Sequence, residues 1–77
     1  MQVIVYKCHD RHTDDEIKIF EYSKENLEAV KEKVKKDWDG PNSRATELHY
    51  DGWDFEYGWG EDYYSAYKVV DVTKTVV

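Results

Sequence analysis

HYDGWDFEYGWGEDYYSAYK, residues 49–68, sets Trp53, Phe55, Trp59, five tyrosines and five carboxylates against a single lysine, Lys68. From Trp53 onward the rings Trp53, Phe55, Tyr57 and Trp59 alternate with Asp54, Glu56 and Gly58. A period of two is the pleat of a β-strand, so the spacing predicts one face of rings and one of carboxylates. Asp51-Gly52 is the dipeptide preferred by a two-residue type I′ hairpin, whose central positions need positive φ. Gly60-Glu61-Asp62 predicts a second turn, and YYSAYKVVDV, residues 63–72, a final strand before a TKTVV tail.

Upstream, Ser23 stands as a helix N-cap, with Tyr22 before it and Leu27 placed to form a hydrophobic staple. Leu27, Val30, Val34 and Trp38 recur at the three-to-four spacing of one buried face, which predicts a helix over about 24–38. Glu28, Lys31 and Lys35, and likewise Glu32 and Lys36, are spaced to pair on its other faces. Gly40 and Pro41 are expected to end it, Gly40 as a left-handed cap. VIVYKC, residues 3–8, and EIKIFEY, residues 16–22, are β-branched and aromatic and predict strands joined across HDRHTDD, while residues 45–50 predict a third strand. The order β-β-α-β-β-β implies an α+β fold, a mostly antiparallel sheet of four to five strands with one helix packed on one face. A helix of about 15 residues spans about 22 Å, too little to hide five strands, so the opposite face or one end is expected to meet solvent or a partner.

The 77 residues read as a single domain, 1–77, with a thin core. A chain of this size buries only about 60 to 65% of the surface its unfolded form exposes, and large rings are an efficient way to enlarge that core. Acids outnumber bases by 17 to 11, for a formal charge of −6. Charge of that sign repels nucleic acid and anionic membrane and favours a basic protein partner. The excess is local, because residues 37–62 carry eight carboxylates against Arg44 alone. The single cysteine, Cys8, forms no internal disulfide, MQVIVYKCHD lacks the pattern of a signal peptide, and no stretch approaches a spanning helix. The expectation is a cytoplasmic protein.

Cys8-His9-Asp10-Arg11-His12 is the one stretch with zinc-type ligands. Adjacent Cys8 and His9 point to opposite faces of a strand, and only His49 remains as a distant fourth ligand, so the reading is a core cysteine and loop histidines, with no metal and no cofactor. Gly58-Trp59-Gly60 looks turn-like rather than phosphate-cradling, and no Ser-His-Asp order, Gly-rich loop or paired CxxC is present. Asp54 and Glu56, neighbours on one strand face, superficially suggest a glycosidase pair, but so short a chain hardly builds the cleft such carboxylates span. An enzyme is not expected. The alternative is a ligand platform, with Trp53, Trp59 and nearby tyrosines stacking a sugar or nucleobase and Asp54 or Asp62 bonding its edge.

The favoured expectation is a protein-binding surface. Acids and rings about 7 Å apart along a strand imitate phosphates and bases, and would enter a basic groove made for nucleic acid. Asp51, Asp54, Glu56, Glu61 and Asp62 supply the charge, and Tyr57, Trp59 and Tyr63 the apolar anchors. DGWDFEYGWGEDYY, residues 51–64, within the whole-chain β-β-α-β-β-β pattern, resembles the small acidic phage-encoded inhibitors of the anti-CRISPR and anti-restriction type. The composition is also similar to that of immunity proteins that neutralise nuclease toxins. The resemblance implies tight binding to a nucleic-acid-binding enzyme or defence complex, without catalysis. It rests on no signature motif and transfers no functional residue by position. Edge addition along the last strand would also give a homodimer.

Overall fold

In the computed structural model, which describes residues 1–41, 44–50 and 52–72, β1 (Gln2–Asp10) and β2 (Glu16–Glu21) form a hairpin that leads into α1 (Lys24–Lys36). Then β3 (Thr46–Leu48), β4 (Phe55–Gly60) and β5 (Tyr63–Asp71) complete a five-stranded sheet in the order β2-β1-β5-β4-β3. Every pairing is antiparallel, and the α+β architecture is the one the periodicities imply.

Alternation within the strands sorts the two faces. On β1, Ile4 and Tyr6 turn toward α1 and are buried with Val30 and Val34. Cys8, Phe20, Leu27, Phe55, Tyr57, Tyr67 and Val69 pack around that cluster. Phe55 and Tyr57 stack with ring centroids 6.4 Å apart, and Lys31 and Lys35 of α1 lie over the Phe55 ring at 5.2 and 5.8 Å. The opposite face carries no helix, and Ile19 there is 67% exposed. A helix of 13 residues is about 20 Å long, which limits its cover to the middle of the sheet.

α1 begins as the sequence indicates, with the Ser23 Oγ accepting the Asn26 amide at 3.0 Å. Its end differs. The helix stops at Lys36, with Asp37 as C-cap, so Trp38 lies beyond it rather than on its buried stripe. Gly40 does not adopt positive φ, since Gly52 and Gly60 are the glycines that do among the described residues. The helix ends early because the Asp37 and Trp38 side chains are both drawn to Ser65 of β5.

Other boundaries move as well. β1 runs on through His9 and Asp10, which pair with Tyr64 and Tyr63, so the loop to β2 shrinks to residues 11–15. β3 is three residues rather than six. β5, expected at an edge, lies between β1 and β4 with its ladder filled on both sides, which removes dimerisation through this strand. The Asp51-Gly52 turn is described only at Gly52, with φ +96°, because Asp51 lies outside the described residues, as does the TKTVV tail.

Gly58-Trp59-Gly60 is strand, not turn. Gly58 pairs with Tyr64 and Gly60 with Tyr63, leaving Trp59 as the extra residue of a β-bulge. A Cβ at Gly58 would overlap the Tyr63 carbonyl oxygen and approach the Tyr64 Cβ to 2.8 Å, so only glycine fits there without moving backbone. Gly58→Ala should destabilise the fold by about 3 kcal/mol in urea unfolding, the upper range for overpacking. Gly40→Ala, which meets nothing within 4 Å, should stay within about 0.5 kcal/mol of the parent. Equal stability of the two variants would contradict the close approach of β4 to β5.

Candidate functional site

The bulge decides where Trp59 goes. Its indole Nε1 reaches toward the Trp38 carbonyl oxygen at 3.5 Å, and the side chain remains 57% exposed. Trp59, Trp38, Tyr63 and Asp10 line a surface cleft of about 310 Å³ at the end of the sheet where α1 stops. Trp38 and Tyr63 meet edge to face with centroids 5.8 Å apart. Asp10 pairs with Tyr63 across β1 and β5, and its Oδ1 accepts the His12 amide at 2.9 Å.

Trp38 is fixed from beneath. Its Nε1 donates to the Ser65 Oγ at 3.0 Å, and that hydroxyl donates to Asp37 Oδ2 at 2.6 Å. The Tyr6 hydroxyl donates to the same carboxylate oxygen, and Lys33 Nζ approaches Oδ1 at 3.3 Å. Burial, and then donation to Asp37, push the Tyr6 phenol far above its ordinary range, so it stays protonated and keeps donating. The rim is acidic. Asp39 accepts from the Tyr57 hydroxyl at 3.0 Å and thereby raises the Tyr57 pKa, with Glu47 adding to the rise from across the β3–β4 pair. Glu61 and Asp62 are exposed in the β4–β5 turn, and Asp62 Oδ2 lies 3.4 Å from the Arg11 guanidinium.

The residues expected to form one surface are therefore divided. Trp59 and Tyr63 line the cleft, Glu61 and Asp62 flank it in sequence, and Tyr57 stands beside Asp39 on the same side of the sheet. Asp54 and Glu56 do not form an exposed pair. Asp54 Oδ2 accepts the Val69 amide at 2.7 Å, replacing a strand carbonyl just before β4 begins. Glu56 is 2% exposed, pairing with Ala66 and Leu48 on the face away from α1. Trp53 also departs from the row of rings. It precedes the strand and turns to the far face, where Lys68 and Lys7 lie over its ring at 4.7 and 5.7 Å. The evenly spaced row of carboxylates is thus not formed, because strand geometry begins only at Phe55 and Glu56 is buried. Asp10 and Trp38 were absent from the expected site. The β1–β5 register that brings Asp10 to Tyr63 links residues 53 positions apart, which no local pattern reveals.

A second cluster lies at the β1–β2 end of the far face. Asp15 Oδ1 is 2.6 Å from His9 Nδ1, Lys7 Nζ lies 3.6 Å from Asp15 Oδ2 and donates to the Tyr64 hydroxyl at 3.0 Å, and His9 packs on the Tyr64 ring. Cys8 faces the other way, into the core cluster. Among the described residues no three metal-ligating side chains converge, and no helix is long and apolar enough to cross a membrane. Comparison with protein-family models, with curated proteins and with solved structures returns no match to this chain.

Two outcomes follow from these placements. Glu56→Lys should cost at least about 3 kcal/mol in denaturant unfolding because it buries an uncompensated cation, whereas Glu61→Lys should cost less than about 0.5 kcal/mol; equal effects would contradict the burial of Glu56. His9, ahead of Lys7, holds the Asp15 carboxyl below its ordinary value, so the unfolded chain binds this proton more tightly than the folded one. Its contribution is full above the ordinary aspartate pKa and is lost as pH falls through the lower folded value. Asp15→Asn should therefore lower the unfolding midpoint at about pH 7 and match the parent at about pH 2, whereas a gap persisting at the lower pH would contradict the assignment.

Proposed function

We propose that the chain is a small inhibitor that binds a basic protein through the end of the sheet where α1 stops, and that its target is a nucleic-acid-binding or nuclease-type defence protein. One observation carries the reading: Trp59 is held out of the ladder by a bulge, 57% exposed, in a cleft shared with Asp10, and the exposed Glu61 and Asp62 follow it in the β4–β5 turn. An exposed indole held in place beside carboxylates has the composition of an interface hot spot, and its negative rim would steer a positively charged partner. Inhibition follows from occupancy, since a basic patch that meets these acids is unavailable to phosphates. The resemblance to small acidic phage inhibitors supports the same target class, and an immunity protein for a nuclease toxin would act by the same means. The setting is an intracellular one, consistent with the unpaired Cys8.

Stacking of a sugar or nucleobase is the competing use of the same rings, favoured by the two indoles lining the cleft. The acidic rim opposes it for any phosphorylated ligand.

Immobilised protein should retain a basic protein from host lysate, less so as salt rises through about 0.1 to 0.5 M, and adding the chain should abolish that protein's binding to nucleic acid. Trp59→Ala combined with Asp62→Lys should eliminate retention. Retention that survives the double substitution, or a retained protein that still binds nucleic acid, would overturn the proposal.

A further inference from the structure

We infer that the cleft lined by Trp38, Trp59, Tyr63 and Asp10 is a receptor for a guanidinium group, and that an arginine side chain of the basic partner is its occupant. The inference rests on the docking reading and names the chemical group that reading requires. Three aromatic side chains and one carboxylate line a hollow of about 310 Å³, a volume that holds one planar side-chain terminus. The Trp38 and Tyr63 rings touch edge to face, with centroids 5.8 Å apart, and so form one aromatic wall against which a cation can lie. Ring faces attract a cation through their quadrupole, and an indole does so best.

The carboxylate selects further. Asp10 Oδ1 accepts the His12 amide, and Oδ2 has no hydrogen-bond partner among the described residues, so one acceptor lies at the cleft edge. The cation nearest in sequence, Arg11, reaches Asp62, while His12 Nε2 lies 2.9 Å from the hydroxyl of Tyr63 at the edge of the cleft. The site therefore brings a carboxylate and ring faces together on one surface.

Arginine suits such a site better than lysine. A guanidinium is planar, stacks on rings, sheds water readily and donates to a carboxylate in its own plane, whereas an ammonium is compact and strongly hydrated. The exposed half of Trp59 then closes over the guanidinium from the bulge.

The three indole Nε1–H resonances in a ¹⁵N correlation spectrum test this directly, with Nα-acetyl-arginine amide as the probe. The Trp38 and Trp59 signals should shift saturably with a dissociation constant on the order of 1 to 10 mM, while Trp53, on the far face, stays still. Nα-acetyl-lysine amide and tetramethylammonium should each bind at least about fivefold more weakly. Asp10→Asn, which keeps an acceptor for the His12 amide, should weaken arginine binding about fivefold, and Trp59→Ala should remove the Trp38 shift. Absence of a saturable shift, an equal response from Trp53, or equal binding of either alternative cation would overturn the assignment. A silent titration with partner capture intact would overturn the cleft assignment alone. A saturating titration with no capture would overturn the docking reading alone.

Discussion

The Asp37 carboxylate is the tie on which this end of the molecule depends. It accepts hydroxyl protons from Tyr6 of β1 and Ser65 of β5 and lies against Lys33 of α1, so one side chain joins the helix to two central strands. Such a group is costly to bury unless its lone pairs are satisfied, and here they are, by two hydroxyls and an ammonium. The tie ends α1 at Lys36 and leaves Ser65 to receive the Trp38 indole. The position of the cleft follows from that geometry.

A second constraint, the close approach at Gly58, supplies the other wall. With no side chain at Gly58, β4 lies against β5 closely enough for the bulge, and the bulge projects Trp59 toward Trp38. Together the two constraints turn an acidic, aromatic composition into a particular arrangement, with three rings and Asp10 gathered in one cleft. The far face has ring contacts of its own. There Trp53 is covered by Lys7 and Lys68, and Tyr64 accepts from Lys7, so its rings meet the chain's own cations.

The order of elements was legible because each announces itself locally. Ser23 caps α1, Val30 and Val34 mark its buried stripe, and Phe55 with Tyr57 gives the period of a strand whose rings lie under a helix. The site was legible only in part. Trp59 and Tyr63 are conspicuous rings, but Asp10 joins them through the β1–β5 register, and Trp38 through a bond to Ser65, 27 positions away. Alternation alone also misjudged Glu56, because a period of two sorts side chains into two faces without saying which positions are buried, and Glu56 pairs with Leu48 and Ala66 on its two neighbouring strands. Asp54 misled for a related reason: one residue before the strand, its carboxylate serves the ladder instead of the surface.

The Asp37 tie builds the cleft. Fluorine NMR of the protein labelled with 5-fluorotryptophan reads it most directly, by comparing the parent chain with Asp37→Ala. In Asp37→Ala the Trp38 and Trp59 resonances should move toward their unfolded positions while Trp53 on the far face keeps its native shift. Native positions for all three in the substituted protein would contradict it.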